Sequence, residues 1–128
     1  MNRLAMAGVA AGGALGAWAR HGLGSWLTAL LPSTFPLPTL MINVLGALLL
    51  GFVAGYGIER GRLPEAWRLP VTVGFIGSFT TFSTWSVDTV LLLDAGRWPL
   101  ALANVGISLA VGLAAVWVGR RLAFRWRV

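Results

Sequence analysis

The sequence predicts an all-α membrane protein of four transmembrane helices, the third broken near mid-membrane, in a single domain over residues 1–128. Three observations carry that prediction. Hydrophobic residues make up 57% of the chain and charged residues only 11%, whereas a soluble domain carries about 25% charged residues to wet its surface. Most of the surface must therefore face lipid. Uncharged runs near the roughly 20 residues that span the hydrocarbon core recur between short polar or proline-rich breaks. One run, the third, is rich in glycine and hydroxyls where a spanning helix is normally most apolar.

The first helix is expected over about 4–30, with Arg20 and His21 inside it. Arg3, the apolar stretch after it and Ala17-Trp18-Ala19 resemble a secretory leader with its cleavage site. Gly8, Gly12 and Gly16, four residues apart, instead suit a retained helix packed closely on a neighbour. Pro32, Pro36 and Pro38 end this element, because proline lacks the N–H a helix needs. The second helix is expected over about 39–58, and the polar loop 59–65 follows. A third runs over about 67–93 and stops at Asp94-Ala95-Gly96-Arg97. The fourth covers about 98–124 and finishes among Arg120, Arg121, Arg125 and Arg127. Trp18, Trp26, Trp67, Trp98, Trp117 and Trp126 lie near these ends, as interfacial aromatic belts do.

Charge is carried by ten arginines and four acids, a net +6. So basic a balance can mark a nucleic-acid binder. Here the arginines sit in short loops and at the C-terminus, the usual anchoring pattern at cytoplasmic membrane faces, and no nucleic acid is expected. The chain has no Cys, and His21 is its only His, so neither thiolate nor imidazole metal sites can form. There is no nucleophile–base pair, and an enzyme is not expected.

The third segment contains Gly74-Phe75-Ile76-Gly77-Ser78-Phe79-Thr80-Thr81-Phe82-Ser83-Thr84-Trp85-Ser86. Backbone that leaves the helix at membrane depth must be buried in protein or line a wet cavity. Such breaks free carbonyls and N–H groups to hold ions. This segment is therefore the functional focus, against the plainer reading of a straight helix with hydroxyls bonded to the preceding turn. Thr39 and Asn43 share one helix face by their spacing of four, as do Asn104, Ser108 and Gly112. Buried amides need partners, so Asn104 reads as glue between helices and Asn43 as part of a polar track. Phe79, Phe82 and Trp85 recur at steps of three, either packing or turning positive ring edges toward an anion. Arg20 and Asp88 are charges within segments, which are costly there and usually functional.

Gly12-Gly13-Ala14-Leu15-Gly16-Ala17-Trp18-Ala19-Arg20 resembles the first-helix signature of the Fluc (CrcB) family of fluoride ion channels. Pro38-Thr39-Leu40-Met41-Ile42-Asn43-Val44-Leu45-Gly46 is similar to its second-helix motif, and 74–86 to its G-x-x-G-x-x-TTFSTF stretch. The likeness runs through the whole chain. It implies a multi-pass protein of the cell (inner or plasma) membrane that lets fluoride pass, built as an antiparallel dual-topology homodimer with two pores. By matching motif positions it implies Asn43 as the pore amide and Phe82 and Trp85 as the two pore aromatics. Thr39, Thr81, Ser83, Thr84 and Ser108 would belong to the polar pathway, and Arg20 matches the family's first-helix Arg. The carbonyls of Gly77 and Thr80 would hold a structural sodium ion at the dimer interface.

Two features depart from that family. Trp85 stands where Phe is usual, and its indole N–H is an extra donor expected to hold fluoride longer. Arginine is also unevenly spread. With both termini on one side, that side carries Arg3, Arg60, Arg62, Arg68, Arg120, Arg121, Arg125 and Arg127, and the other Arg20 and Arg97. A chain inserting equally both ways should be balanced, so one half of a heterodimer with an inverted partner is the alternative. A small dual-topology exporter would want a carboxylate in the first segment, which has none. A structural membrane subunit would leave the hydroxyl-rich break unmotivated.

Overall fold

The computed structural model describes residues 3–125; Trp126 and Arg127, counted above with the interfacial aromatics and the charge bias, lie outside the described residues. Helix α1 is Arg3–Leu30, unbroken through Arg20 and His21 and about 42 Å long at 1.5 Å per residue. Helix α2 is Leu37–Glu59, α-helical to Phe52 and π-helical from Val53. The third segment is in two pieces. Helix α3 (65–79) opens as α-helix at Glu65–Leu69, turns π-helical over Pro70–Ile76 and closes with Gly77–Phe79. Helix α4 is Phe82–Asp94, and helix α5 is Trp98–Arg125. The observed bounds lie within a few residues of those expected, and the straight third helix is excluded.

Sequence punctuation explains the ends. Pro38 sits in the first turn of α2, where a missing N–H is harmless. At the end of α4, Gly96 takes φ 71°. Its N–H bonds to the Leu93 carbonyl at 2.9 Å and that of Arg97 to Leu92 at 2.8 Å, a left-handed cap that closes the helix. Pro70 cannot donate to the ladder, and the π turns begin there. The π segment Val53–Glu59 has no such signal in the residue pattern.

Chain direction follows from which backbones touch. Residues 8–16 of α1 run alongside 70–75 of α3 in the same direction, and 48–55 of α2 alongside 116–123 of α5. Odd and even segments therefore alternate, and the described ends, Arg3 and Arg125, share one side of the bundle. Both contacts are too close for a side chain. A Cβ on Gly16 would sit 2.2 Å from the Phe75 carbonyl oxygen, and one on Gly51 2.2 Å from that of Val116. Bilayer helices gain no hydrophobic drive by associating, so small residues that admit close packing take over that role. The Gly8–Gly12–Gly16 ridge, expected to pack closely on a neighbour, packs inside the chain on α3.

Among the described residues, α2 and α5 are the two helices long and apolar enough to cross a membrane, and only 22% and 17% of their apolar windows are buried in the chain. Core helices of a soluble protein would be mostly covered. Here Leu113 is 73% and Leu102 69% exposed, which is tolerable only against lipid or another subunit. Few apolar side chains are buried: Leu27, Ile42 and Phe79 form one cluster with Ala19 and Leu23 against it, and Ile76, Leu92, Ala101, Ala115 and Ala123 are buried elsewhere. Gly51→Ala is expected to push α2 off α5 and destabilise the protein by about 1–3 kcal/mol, as overpacking does. Thermal unfolding in detergent micelles measures it, and an unchanged midpoint would mean that the backbones are not this close.

Candidate functional site

The site is built on the two residues between α3 and α4. Thr80 and Thr81 are extended (φ −79°, ψ 161° and φ −147°, ψ 116°). In a continuous helix the Thr81 N–H would go to the Gly77 carbonyl. It goes instead to Asn43 Oδ1 at 2.8 Å, and Asn43 Nδ2 donates back to the Thr81 carbonyl at 3.0 Å. One side-chain amide from α2 thus satisfies both backbone groups of the residue at the break. Thr81 also caps α4: its hydroxyl accepts the Thr84 N–H at 3.2 Å and donates to Thr84 Oγ1 at 3.0 Å. Ser83 Oγ lies 3.3 Å from it. Threonine favours this N-cap role because its oxygen replaces an absent helical acceptor.

A groove of about 360 Å³ opens beside the break, lined by residues of α2, α3, α4 and α5. Asn43, Thr81, Phe82, Trp85 and Ser108, which the sequence singled out, all line it, together with Gly77 and Thr80. No charged side chain does. An amide nitrogen carries two N–H groups, and Asn43 Nδ2 uses one on Thr81. Ser108 Oγ is buried without a hydrogen-bond partner. The Phe82 and Trp85 ring centroids are 5.1 Å apart at 38°, and Phe82 is 77% exposed.

The remaining expected residues lie elsewhere. Thr39 does not join Asn43 in the groove: its hydroxyl donates to Asp88 Oδ2 at 2.7 Å. Thr39, Thr84, Asp88 and Arg97 line a second, wider cavity of about 760 Å³. Ser83 is exposed at the start of α4. Arg20 is half-buried and points at the break, its Nη1 3.5 Å from the Thr80 carbonyl, rather than at Asp88. Phe79 does not continue the aromatic row, because the break turns it into the core, where it lies parallel to Phe75. The Trp85 indole N–H, expected as a spare donor, reaches the Asn104 carbonyl at 3.4 Å. Asn104 is fully buried and bonds Thr89 Oγ1 at 2.9 Å, so it does tie α5 to α4. Thr89 was missed; its spacing of four from Trp85 in a hydroxyl-rich run was the available signal.

As a cation site, the break offers only neutral oxygens. Among the described residues no three His, Cys, Asp or Glu side chains gather. The Gly77 carbonyl has lost its helical donor, and the Thr80 carbonyl keeps a lone pair beside its long contact with Arg20. Carbonyl oxygens are the ligand type a hard cation takes.

A helical membrane protein that holds a mid-helix break open beside an uncharged, donor-lined groove has the makings of an ion-conducting protein rather than an enzyme. Residues 7–120 match the family model described as CrcB-like protein, Camphor Resistance (CrcB). This chain belongs to the CrcB family. It is 41% identical over 111 residues to the fluoride-specific ion channel FluC of Azotobacter vinelandii, covering 87% of this chain and 90% of that one. The protein of the same name from Pseudomonas fluorescens strain Pf0-1 is 42% identical over 114 residues, 89% and 92% of the two chains. That of Acidobacterium capsulatum is 43% identical over 111 residues, 87% and 89%.

Asn43→Leu would leave the Thr81 N–H and carbonyl unpaired. The expected loss is about 1–3 kcal/mol for each group left buried, seen as a lower unfolding midpoint in micelles and faster amide exchange at Thr81. Unchanged exchange there would show that Asn43 does not hold the break.

Proposed function

We propose that the chain forms a fluoride-selective channel of the cytoplasmic membrane, passing the ion down its own gradient. The observation that carries this reading is the groove at the break, where spare donors meet two aromatic rings and no cation. Fluoride is small and strongly hydrated, so a pore must replace its water with donors. The second Asn43 N–H, the Ser108 hydroxyl and the positive ring edges of Phe82 and Trp85 are such groups. A fixed charge in the narrow part would hold the ion too tightly to release it. Arg20, half-buried near Thr80, raises the local anion concentration from outside the groove. Thr39, Thr84 and Asp88, which line the second cavity, form the wider mouth.

The reading extends to an antiparallel dimer with two pores. The exposure of Phe82 supports it, because one chain leaves its groove open on a side that a second copy would cover. A sodium ion bound at the break would supply a positive charge among neutral carbonyl oxygens. Gly77 and Thr80 would hold it.

One observation favours an inverted partner of different sequence. The C-terminal end of α5 and the loop after α2 are joined, Arg120 to Glu59 at 2.8 and 2.9 Å and Arg60 to the Ala123 carbonyl at 2.9 Å. Arginine therefore concentrates at that end, opposite Arg97, and Arg20 lies at the level of the break. Such a chain inserts mainly one way.

Liposomes holding only this purified protein test both. Rapid fluoride efflux with chloride retained is expected, and shows that one chain type suffices. No efflux from folded protein turns the proposal toward the inverted partner. Asn43→Asp is expected to abolish efflux, because a carboxylate repels both the anion and the Thr81 carbonyl; normal flux in that variant would remove Asn43 from the pathway.

A further inference from the structure

Behind the groove, Trp85 is held in a closed ring of hydrogen bonds. Its indole N–H donates to the Asn104 carbonyl at 3.4 Å, Asn104 Nδ2 donates to Thr89 Oγ1 at 2.9 Å, and Thr89 Oγ1 donates back to the Trp85 carbonyl at 2.8 Å. The ring joins α4 to α5, and at its centre is Asn104, the largest fully buried side chain of the described residues. The indole bond is long, beyond the usual 2.7–3.2 Å for N–H to oxygen. On its own it would open readily. Of the two shorter bonds, that from Asn104 ties α5 to α4 and that from Thr89 to the Trp85 carbonyl fixes the Thr89 hydroxyl within α4; together they keep the Asn104 carbonyl within reach of the indole.

We infer that Asn104 and Thr89 are positioning residues for Trp85, which withhold the indole N–H from the groove and leave only the ring to line it. The inference rests on the fluoride reading of the groove for its effect on flux, but not for its structural content. A tryptophan in an anion path is a hazard that phenylalanine is not. A free indole N–H is a strong donor, and fluoride bound to it would leave slowly. Turning that N–H onto a backbone carbonyl keeps the aromatic surface and removes the trap. Phe82, the other ring, has no hydrogen-bonding atom and needs no such restraint.

The experiment is a double-mutant cycle on fluoride efflux. Asn104→Leu keeps the branched shape at a larger volume but removes the amide, and is expected to slow efflux by at least about twofold, the low end of coupling between residues in contact. In a Trp85→Phe background the same substitution is expected to change efflux little, because no indole N–H remains to be freed. An equal slowing in both backgrounds would overturn the inference and make Asn104 a packing residue. So would a Trp85→Phe protein that no longer conducts, since the indole N–H would then be needed by the ion. Thr89→Val removes the acceptor from the other helix; it should reproduce the slowing, and serves if Asn104→Leu does not fold.

A readout independent of flux separates this inference from the channel reading. Hydrogen–deuterium exchange of the indole N–H is followed by nuclear magnetic resonance on 15N-tryptophan protein in micelles, with the Trp85 signal assigned by its loss in Trp85→Phe. The signal should exchange slowly in the parent and faster in Asn104→Leu or Thr89→Val. Equal exchange in parent and variants would overturn the inference even if the protein conducts. Protected exchange in a protein that passes no fluoride would sustain the bond ring and sink the channel.

Discussion

The fold around the groove depends on one side-chain amide. Asn43 exchanges two hydrogen bonds with the backbone of Thr81, and these replace what the helix gives up there. At membrane depth no water stands ready to do so, and an unpaired peptide group in hydrocarbon costs several kcal/mol. Without this amide the N–H and carbonyl of Thr81 would stand unpaired at the break, beside the groove that Phe82 and Trp85 line. The Thr81 cap on Thr84 stabilises the second half but cannot by itself satisfy the first.

A second constraint sets where Asn43 and the break can meet. α1 lies backbone-to-backbone on α3, and α2 on α5, at glycines where even a methyl group would collide. These two rigid pairs fix depth and rotation. The Thr80 methyl lies in the space a Cβ on Gly46 would fill, 2.2 Å from that position, so α2 approaches the break one turn beyond Asn43. Little apolar core exists to do this work, since most large apolar side chains point outward. Close backbone packing and paired polar groups carry the tertiary structure instead.

Polar groups then divide by whether they are satisfied. Thr28, Thr72, Ser86 and Thr89 each bond the carbonyl four residues earlier and are locally complete. Thr39 completes Asp88, and Asn104 with Thr89 completes Trp85. Among the described residues, Ser108 Oγ and Asn104 Oδ1 are buried without a partner. Ser108 lines the groove beside Asn43, one of whose N–H groups is taken by Thr81, while Asn104 does not line it. The Ser108 hydroxyl and the second Asn43 N–H are thus donors left toward the groove, unlike the hydroxyls bonded within their own helices.

The sequence by itself determined the class and the plan. Scarcity of charge required lipid as solvent, prolines and polar runs marked the segment ends, and clustered hydroxyls with Gly74 and Gly77 located the break within a few residues. Composition and local punctuation act over one or two turns, so they are readable without contacts. Tertiary structure decided which polar residues work together. Thr39 and Asn43 share a helix face yet serve different cavities, because Thr39 meets Asp88 and Asn43 meets Thr81, each partner far away in the chain. Phe79, three residues from Phe82, belongs to the core because two extended residues reset the helical phase between them. The Trp85 N–H, a free donor by its chemistry, is occupied because α5 brings a carbonyl to it. Residue type states what a group can bond; only the packing of α2 and α5 against the break states what it does bond.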